Sequence, residues 1–181
     1  MTDARFPIGR FAPPADISPE ARVKFIAEIA SLPARLRAAV EPLGPAERRT
    51  PYRDGGWTVA QVVHHLADSH INAYVRLRLA LTEEAPAITA YDEKGWAELI
   101  DATSPDVGPS LSLLDGVHQR WTTLLGAMTP EKFGRTFVHP RNGVTPLDRQ
   151  LALYAWHGRH HVAHITTLAA RMGWASTEPG A

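Results

Sequence analysis

Histidines are concentrated in two short stretches of this chain. The string WHGRHHVAH contains His157, His160, His161 and His164. On a helix, residues four apart lie on one face, one turn above each other. Pairs of imidazoles with this spacing hold one metal ion in the HExxH helices. The spacing therefore offers two candidate pairs, His157 with His161 and His160 with His164.

Two imidazoles alone bind a metal weakly, so a third ligand must come from another part of the chain. The upstream string HHLADSH contains His64, His65 and His70. Mid-helix histidines are often ordinary packed residues, but both clusters lie in apolar helices rather than in a polar tail. Metal sites in helical bundles are built from inward-facing side chains of neighbouring helices. The two clusters therefore predict a metal held across a helical bundle.

Composition limits the class of protein and the possible ligands. The 181 residues suit a single domain, 1–181, with a core of its own. Nineteen basic and nineteen acidic residues balance, which predicts no nucleic-acid or acidic-membrane partner. There is no cysteine, so imidazole and carboxylate are the available donors. No signal-peptide pattern or membrane-length apolar stretch is present, which predicts a soluble cytoplasmic protein.

Hydrophobic residues at three- and four-residue spacing predict four long helices. We expect them over 18–42, 58–84, 110–128 and 145–172, with Ser18, Thr58 and Thr145 as N-caps and Gly173 as a left-handed end. The long connection 85–107 is predicted to contain a short helix, and Asn142-Gly143 a hairpin turn. The predicted fold is all-α, an up-down four-helix bundle with a long connection between helices 2 and 3. Residues 1–17 are expected to form an extended arm and 175–181 a disordered tail.

Polar residues near the histidines are candidate helpers. One face of the second predicted helix carries Gln61, His65, Asp68, Asn72 and Arg76. If His65 points inward, Asp68 and Asn72 could orient an imidazole or a bound water. His64 and His70 fall on other faces and are predicted to lie at the surface.

The string PYRDGGWT precedes this helix and can be interpreted in two ways. It is either a turn that ends in an anchoring tryptophan, Trp57, or a loop that brings Tyr52, Arg53 and Asp54 to the mouth of the site. Its paired glycines allow backbone angles that other residues avoid. The residues alone leave both interpretations open.

Several strings together resemble a known family. FPIG, PYRDGGWTVAQVVHHLADSH, LTEEAPAI with YDEK, HQRWTTLL and the W-H-x-x-H-H run span nearly the whole chain. They resemble the DinB/YfiT-like family of metal-dependent hydrolases, and within it the YfiT-type bacillithiol transferases. The resemblance implies a four-helix bundle that holds a divalent ion with three histidines. Carried onto this sequence, the metal ligands are His65, directly before Leu66, and the pair His157 and His161. His160 and His164 are then neighbours, unless the helix is rotated.

Three neutral imidazoles with an open position suit one divalent ion per chain, Zn²⁺ first, with Ni²⁺ or Fe²⁺ as alternatives. Such an ion can activate water for hydrolysis or deprotonate a thiol for S-transfer, the reaction that the resemblance implies. Gly158 follows His157, so the glutamate of HExxH is absent, which favours thiol transfer. Because the chain has no cysteine, the sulfur must come from a small thiol cosubstrate.

The sequence suggests helpers for this enzyme and one non-enzymatic alternative. The candidate helpers are Asp68, Asn72, Tyr52, Arg53 and Arg76, and either arginine could bind a carboxylate of a bacillithiol-like thiol. Alternatively, the metal only stabilises the bundle, a fourth ligand such as Asp68 closes the site, and the surface binds another protein. The apolar arm and helix faces also allow a homodimer.

Overall fold

The computed structural model describes residues 3–174, which form four long helices, three short helical segments and one hairpin. The elements are α1 (Pro19–Val40), α2 (Pro45–Arg48), α3 (Val59–Thr82), α4 (Glu93–Ala97), α5 (Gly108–Gly126), α6 (Pro130–Phe133), β1 (Thr136–His139), β2 (Gly143–Pro146) and α7 (Leu147–Met172). The predicted all-α four-helix bundle is confirmed, with α1, α3, α5 and α7 as its helices. The predicted tail, 175–181, lies outside the described residues.

Local sequence signals explain most of the helix ends. The Ser18 hydroxyl accepts a hydrogen bond from the backbone N–H of Ala21, and Thr58 forms a capping box with Gln61. Gly173 ends α7 with a φ of 66°, the left-handed conformation that glycine adopts without strain. The predicted threonine cap of α7 is wrong. Thr145 lies in β2 instead, and Pro146 occupies the cap position.

The four long helices do not simply alternate in direction along the chain. α1 and α3 each pack against both α5 and α7, so α1 and α3 lie diagonally opposite. His64 contacts Ser110 near the start of α5, and His70 contacts His118 one to two turns further along both helices. α3 and α5 therefore run parallel, because the connection 83–107 returns the chain to the end of the bundle where α3 begins.

α1 and α7 are also parallel. Arg22 and Asp148 form an ion pair near the start of both helices, and Leu32 lies against Gly158 about three turns later. The directions are therefore up, down, down, up. This corrects the predicted up-down alternation, because the long connection lets α5 run parallel to α3. As a result, α3 and α7, which carry the two histidine clusters, are antiparallel neighbours.

A layer of histidines divides the apolar core into two clusters. One cluster contains Leu36, Val63 and Ile165 among its members, and the other contains Leu77 and Trp121. Between them, each of the helices α3, α5 and α7 contributes histidines to the interior: His65 and His70, His118, and His157 and His161. We call these five residues the histidine layer.

Gly158 allows α7 to approach α1 closely beside this layer. A Cβ atom at Gly158 would lie 2.8 Å from Cδ2 of Leu32, which is itself buried. That distance is shorter than side-chain carbon atoms tolerate, so a larger residue must displace the buried Leu32 side chain or move the helices apart. Helix packing therefore favours glycine at the position where the HExxH motif has glutamate.

Gly158→Ala is expected to lower the free energy of unfolding by ~1–3 kcal/mol, because overpacking outweighs the better helix propensity of alanine. Gly116→Ala is the matched control, since nothing lies within 4 Å of the added Cβ on α5. The control should gain roughly 0.5–1 kcal/mol. Urea denaturation of both variants measures the difference, and an equal gain in both would contradict the close approach.

Candidate metal centre

Three histidines from two helices converge in the histidine layer. Ring nitrogens of His65, His157 and His161 all lie within 4.8 Å of one another. His65 comes from the second turn of α3, while His157 and His161 lie one turn apart on α7. These are the three residues that the family resemblance implied as metal ligands, and the antiparallel packing of α3 and α7 brings them together.

The spacing of these nitrogens fits a metal ion. Nε2 of His65 and Nε2 of His157 are 3.3 Å apart. Two nitrogens bound tetrahedrally to Zn²⁺ at 2.0–2.1 Å would be separated by about 3.3–3.4 Å. The donor set is therefore compatible with a small divalent ion at this position.

Burial keeps the three imidazoles in the neutral form that binds metals. Loss of solvation lowers the pKa of His65 to about 4. The pKa values of His157 and His161 also lie well below the usual value, first because of burial and then because neighbouring imidazoles repel a second positive charge. At neutral pH these rings therefore present lone pairs without first losing a proton.

The three histidines stand beside a pocket rather than inside a closed cage. Within residues 3–174, no fourth histidine or carboxylate joins this group of donors. All three histidines line a pocket of about 430 Å³, which is large enough for a small molecule. Catalytic metal sites keep such an open position, whereas structural sites are closed by a fourth protein ligand.

The pocket wall contains charged residues that the sequence did not identify. Glu93 from α4 and His139, Arg141 and Asn142 from the hairpin line it together with Arg76 of α3. The YDEK string contained Glu93 and the Asn-Gly turn located the hairpin, but neither signal indicated contact with the histidines. His139, Arg76 and Arg141 line the same pocket, and the pKa of His139 is lowered by burial and then by the positive charges of the two arginines.

Asp68 and Asn72 do not orient the candidate ligands. Asn72 donates from its side-chain amide to the backbone carbonyl of Asp68. The pKa of Asp68 is raised by burial and by the negative charge of Asp101. Within residues 3–174, neither side chain hydrogen-bonds to the three histidines. The structure therefore gives no direct contact between these two side chains and a candidate ligand, and their role in orienting a bound water stays a prediction.

Trp57 of the PYRDGGWT string lines the pocket of the three histidines, whereas Tyr52 and Arg53 line a separate pocket. The interpretation as a turn that ends in an anchoring tryptophan therefore fits the structure better. Trp57 packs on the His65 ring, with 4.7 Å between the ring centroids, and Tyr52 stacks on His164 at 4.1 Å. Arg53, by contrast, donates to the backbone carbonyl of Asp54 and lines a separate pocket.

His64 and His70 are buried, so the prediction that they lie at the surface is wrong. The ring of His64 hydrogen-bonds to the Ser110 hydroxyl and the Ser104 carbonyl. His70 has no exposed surface and contacts His118 and His157. The reason is that α3 packs against α5 on one side and α7 on another, so more than one of its faces is interior.

His160 and His164 do not join the three converging histidines. The His160 ring stacks between Trp156 and Phe6, and Nε2 of His164 lies 3.3 Å from the Arg5 carbonyl. The rotated arrangement of α7, with these two as the metal pair, is therefore not the one observed. Residues 3–11 instead lie across this side of the helix.

Comparison with known proteins places this geometry in a family. The model of the DinB superfamily matches residues 28–165. The chain belongs to the DinB superfamily. In this superfamily, the chain is similar to a Bacillus subtilis protein named "Putative metal-dependent hydrolase YfiT". The two are 52% identical over 170 residues, which cover 93% of this chain and 96% of YfiT. A Bacillus mycoides protein, also named as a metal-dependent hydrolase, is 49% identical over 174 residues, covering 96% and 100%.

Solved structures agree with this membership of the DinB superfamily. The structure of YfiT, described as an unusual four-helix bundle topology, superposes with a TM-score of 0.93 at 50% identity and covers 96% of this chain and 100% of YfiT. The four-helix bundle protein TT2238 matches with a TM-score of 0.57 at 20% identity, covering 81% and 98%, which shows a shared fold.

Among residues 3–174, no helix has both the length and the apolar character needed to cross a membrane.

The lowered pKa values predict how metal-free stability depends on pH. The affected histidines are His65, His70, His118, His139, His157, His160, His161 and His164. In the unfolded chain they would titrate near 6.5, so below that pH the unfolded state binds more protons. Stability is then complete above pH 6.5 and is lost as the pH falls toward 4. The slope should be about 1.4 kcal/mol per pH unit for each proton.

Urea denaturation with a chelator present, between pH 7.5 and 5, measures this slope. His118→Gln removes one of the titrating groups and should reduce the slope by about one proton. A free energy of unfolding that stays constant or rises over this range would contradict the buried, neutral state of these imidazoles.

Proposed function

We propose that the chain is an enzyme that holds one divalent metal ion with His65, His157 and His161. We propose further that it activates a small thiol for S-transfer to an electrophile. The observation that carries this proposal is the convergence of three neutral imidazoles, two buried and that of His157 half-buried, beside an open polar pocket. Zn²⁺ fits the imidazole donors and their spacing best, and Ni²⁺ accepts the same donors. The names of the two Bacillus relatives support the metal dependence, while the reaction that those names give is hydrolysis.

A divalent ion with an open position supplies a deprotonated nucleophile at neutral pH, because its charge lowers the pKa of a thiol or water that binds it. In the transfer, the sulfur forms a bond to the electrophilic carbon, the leaving group departs with its electron pair, and the thiol proton passes to solvent. The three histidines hold the centre, and the pocket walls exclude bulk water and orient the two substrates. The chain supplies no sulfur nucleophile of its own, since it has no cysteine.

Charge in the pocket favours a thiol that carries an anionic group. Arg76 and Arg141 both line the pocket and lie near His139. Arginine binds carboxylates through charge-assisted, often bidentate hydrogen bonds. A sugar-malate-cysteine thiol of the bacillithiol type has such carboxylates, as the family resemblance implies. Of the two arginines considered from the sequence, only Arg76 lines this pocket; Arg53 lines another.

Hydrolysis is the second candidate reaction, and Glu93 is the observation that favours it. Glu93 is a pocket-lining carboxylate and could take a proton from an attacking water. Glu93→Gln separates the two reactions. Hydrolysis of an ester or amide should fall about 10²–10⁴-fold if Glu93 is the general base. Thiol transfer should keep most of its rate, because there the thiol proton passes to solvent.

A non-enzymatic role, in which the metal only stabilises the bundle, is less well supported. Such a site would have a fourth protein ligand and no pocket. Asp68, the fourth ligand suggested by the sequence, is not among the converging donors. A homodimer and a cytoplasmic location stay predictions from the sequence.

Elemental analysis of the purified protein tests the metal site. The wild type is expected to contain about one divalent ion per chain, because three donors converge at one place. The variant with His65→Ala, His157→Ala and His161→Ala should lose it. His139→Ala, which removes a pocket imidazole outside this group, is the control and should keep the metal. A folded wild type that takes up neither zinc nor nickel would refute the metalloenzyme.

Steady-state kinetics test the anionic thiol. Arg76→Ala is expected to raise KM for a carboxylate-bearing thiol about tenfold or more, because a charge-assisted hydrogen bond contributes roughly 1.5–3 kcal/mol. KM for the uncharged thiol 2-mercaptoethanol should change little. Arg53→Ala is the matched control and should leave both values unchanged. Equal effects of the two substitutions, or no effect of Arg76→Ala, would remove the proposed carboxylate contact.

A further inference from the structure

Each of the two candidate ligands on α7 uses its second ring nitrogen to contact another histidine. Nδ1 of His157 lies 3.1 Å from Nε2 of His70. Nδ1 of His161 lies 3.3 Å from Nδ1 of His164. In both ligands the remaining nitrogen is Nε2, and Nε2 of His157 lies 3.3 Å from Nε2 of His65, the third candidate ligand. Metal-binding histidines commonly donate their other N–H to a carboxylate, a carbonyl or a water. Here the partner is a further imidazole.

The hydrogen bond of His157 belongs to a chain of hydrogen bonds that ends on a backbone carbonyl. This carbonyl determines which ring nitrogen carries the proton in each histidine of the chain. Nδ1 of His118 lies 2.7 Å from the carbonyl oxygen of Ile29, and Nε2 of His118 lies 3.0 Å from Nδ1 of His70. A carbonyl oxygen only accepts, so His118 carries its proton on Nδ1 and accepts on Nε2. His70 must then donate from Nδ1 and accept on Nε2. His157 in turn donates from Nδ1, and its Nε2 keeps a lone pair.

His161 is connected to a backbone carbonyl in the same way, but through one histidine instead of two. Nε2 of His164 lies 3.3 Å from the carbonyl oxygen of Arg5, so Nε2 carries the proton and Nδ1 accepts. His161 then donates from Nδ1, and its Nε2 is free with a lone pair. The Arg5 carbonyl belongs to the segment that lies across α7, where Phe6 packs on a neighbouring histidine ring.

We propose that His70, His118 and His164 are positioning residues, which fix the tautomers of His157 and His161 through two hydrogen-bond relays that end on backbone carbonyls. All three are buried, with exposed fractions of 0%, 1% and 4%. The tautomer part of the proposal concerns the metal-free protein, and its consequence for metal affinity rests on the proposed metal site.

The relays matter because the required tautomer is not the one a free histidine prefers. A neutral histidine side chain in water carries its proton mainly on Nε2. A ring that binds metal through Nε2 must hold the proton on Nδ1 instead, and the hydrogen bond at the other nitrogen decides this. A relay that ends on a carbonyl cannot reverse, because a carbonyl has no proton to give. The two ligands of α7 are therefore ready for metal before metal arrives.

Long-range proton–nitrogen correlation NMR of ¹⁵N-histidine-labelled, metal-free protein reads these tautomers directly. At pH 7.5 we expect His157 and His161 to carry the proton on Nδ1. His118 and His70 should do the same, and His164 should carry it on Nε2. A His157 ring protonated on Nε2 would overturn the proposal whatever the metal content.

Substitutions at the far end of the longer relay separate positioning from packing. His118→Leu removes the acceptor of His70, so His70 can reverse and the His157 proton should shift toward Nε2. Metal affinity, measured by chelator competition, should fall about 10–100-fold. His118→Gln places an amide oxygen near the Nε2 position and should restore both the tautomer and most of the affinity. His64→Leu is the matched control, because His64 is also buried but hydrogen-bonds to Ser104 and Ser110 instead.

Each result has one interpretation. An unchanged His157 tautomer and unchanged affinity in His118→Leu would overturn the proposal. So would an equal loss of affinity in His64→Leu, because it would show a general packing effect. If the wild type binds no metal but shows the expected tautomers, the relays stand and the proposed function fails. Thermal unfolding of each metal-free variant verifies that the comparison is made between folded proteins.

Discussion

The structure depends on the burial of neutral imidazoles in the middle of an apolar bundle. A buried polar atom without a partner costs about 1–3 kcal/mol, and an unpaired buried charge costs more. The histidine layer reduces this cost by joining ring to ring, as between His70 and His118, and by ending on backbone carbonyls. The rings stay neutral, so no carboxylate is needed to balance them. Apolar clusters on both sides then hold the layer in place.

The order of the helices follows from the same requirement. Parallel packing of α3 and α5 brings His70 beside His118, and antiparallel packing of α3 and α7 brings His65 beside His157. Parallel neighbours need a connection as long as the bundle, which residues 83–107 provide. This connection also carries Glu93 to the pocket. One segment therefore sets the direction of α5 and contributes to the pocket wall, as long connections in compact domains often do.

Much of this architecture could be predicted from the sequence, and the parts that could not be predicted share a cause. Helical periodicity predicted the four long helices because each has one apolar face that repeats regularly. Family resemblance then pointed to the three converging histidines. The burial of His64 and His70 was missed, because periodicity assigns a helix one interior face and α3 has two. For Asp68, the sequence did not show that the negative charge of Asp101, in the connection before α5, acts together with burial to raise the pKa of its carboxyl group.

Contacts between elements that are distant in the chain could also not be predicted from sequence patterns. The hairpin was predicted from its Asn-Gly turn, but no local signal shows that His139 and Arg141 reach the pocket. Likewise, no local signal shows that the ring of His118 on α5 contacts His70 on α3. Its importance appears only when α5 is seen to run parallel to α3, which depends on packing rather than on local propensity.

Ending the relays on carbonyls has a consequence for the chemistry of the candidate centre. A carboxylate partner would make the ligand imidazole more basic and add negative charge near a bound cation. A carbonyl partner fixes the same tautomer without adding that charge. The ion would then keep more of its ability to lower the pKa of a bound thiol or water. In the pocket wall, the two positive charges of Arg76 and Arg141 exceed the one negative charge of Glu93. Neutral relays and a basic pocket wall therefore favour the same class of substrate. It is a nucleophile that loses a proton at the metal centre and has a separate anionic group that binds the arginines.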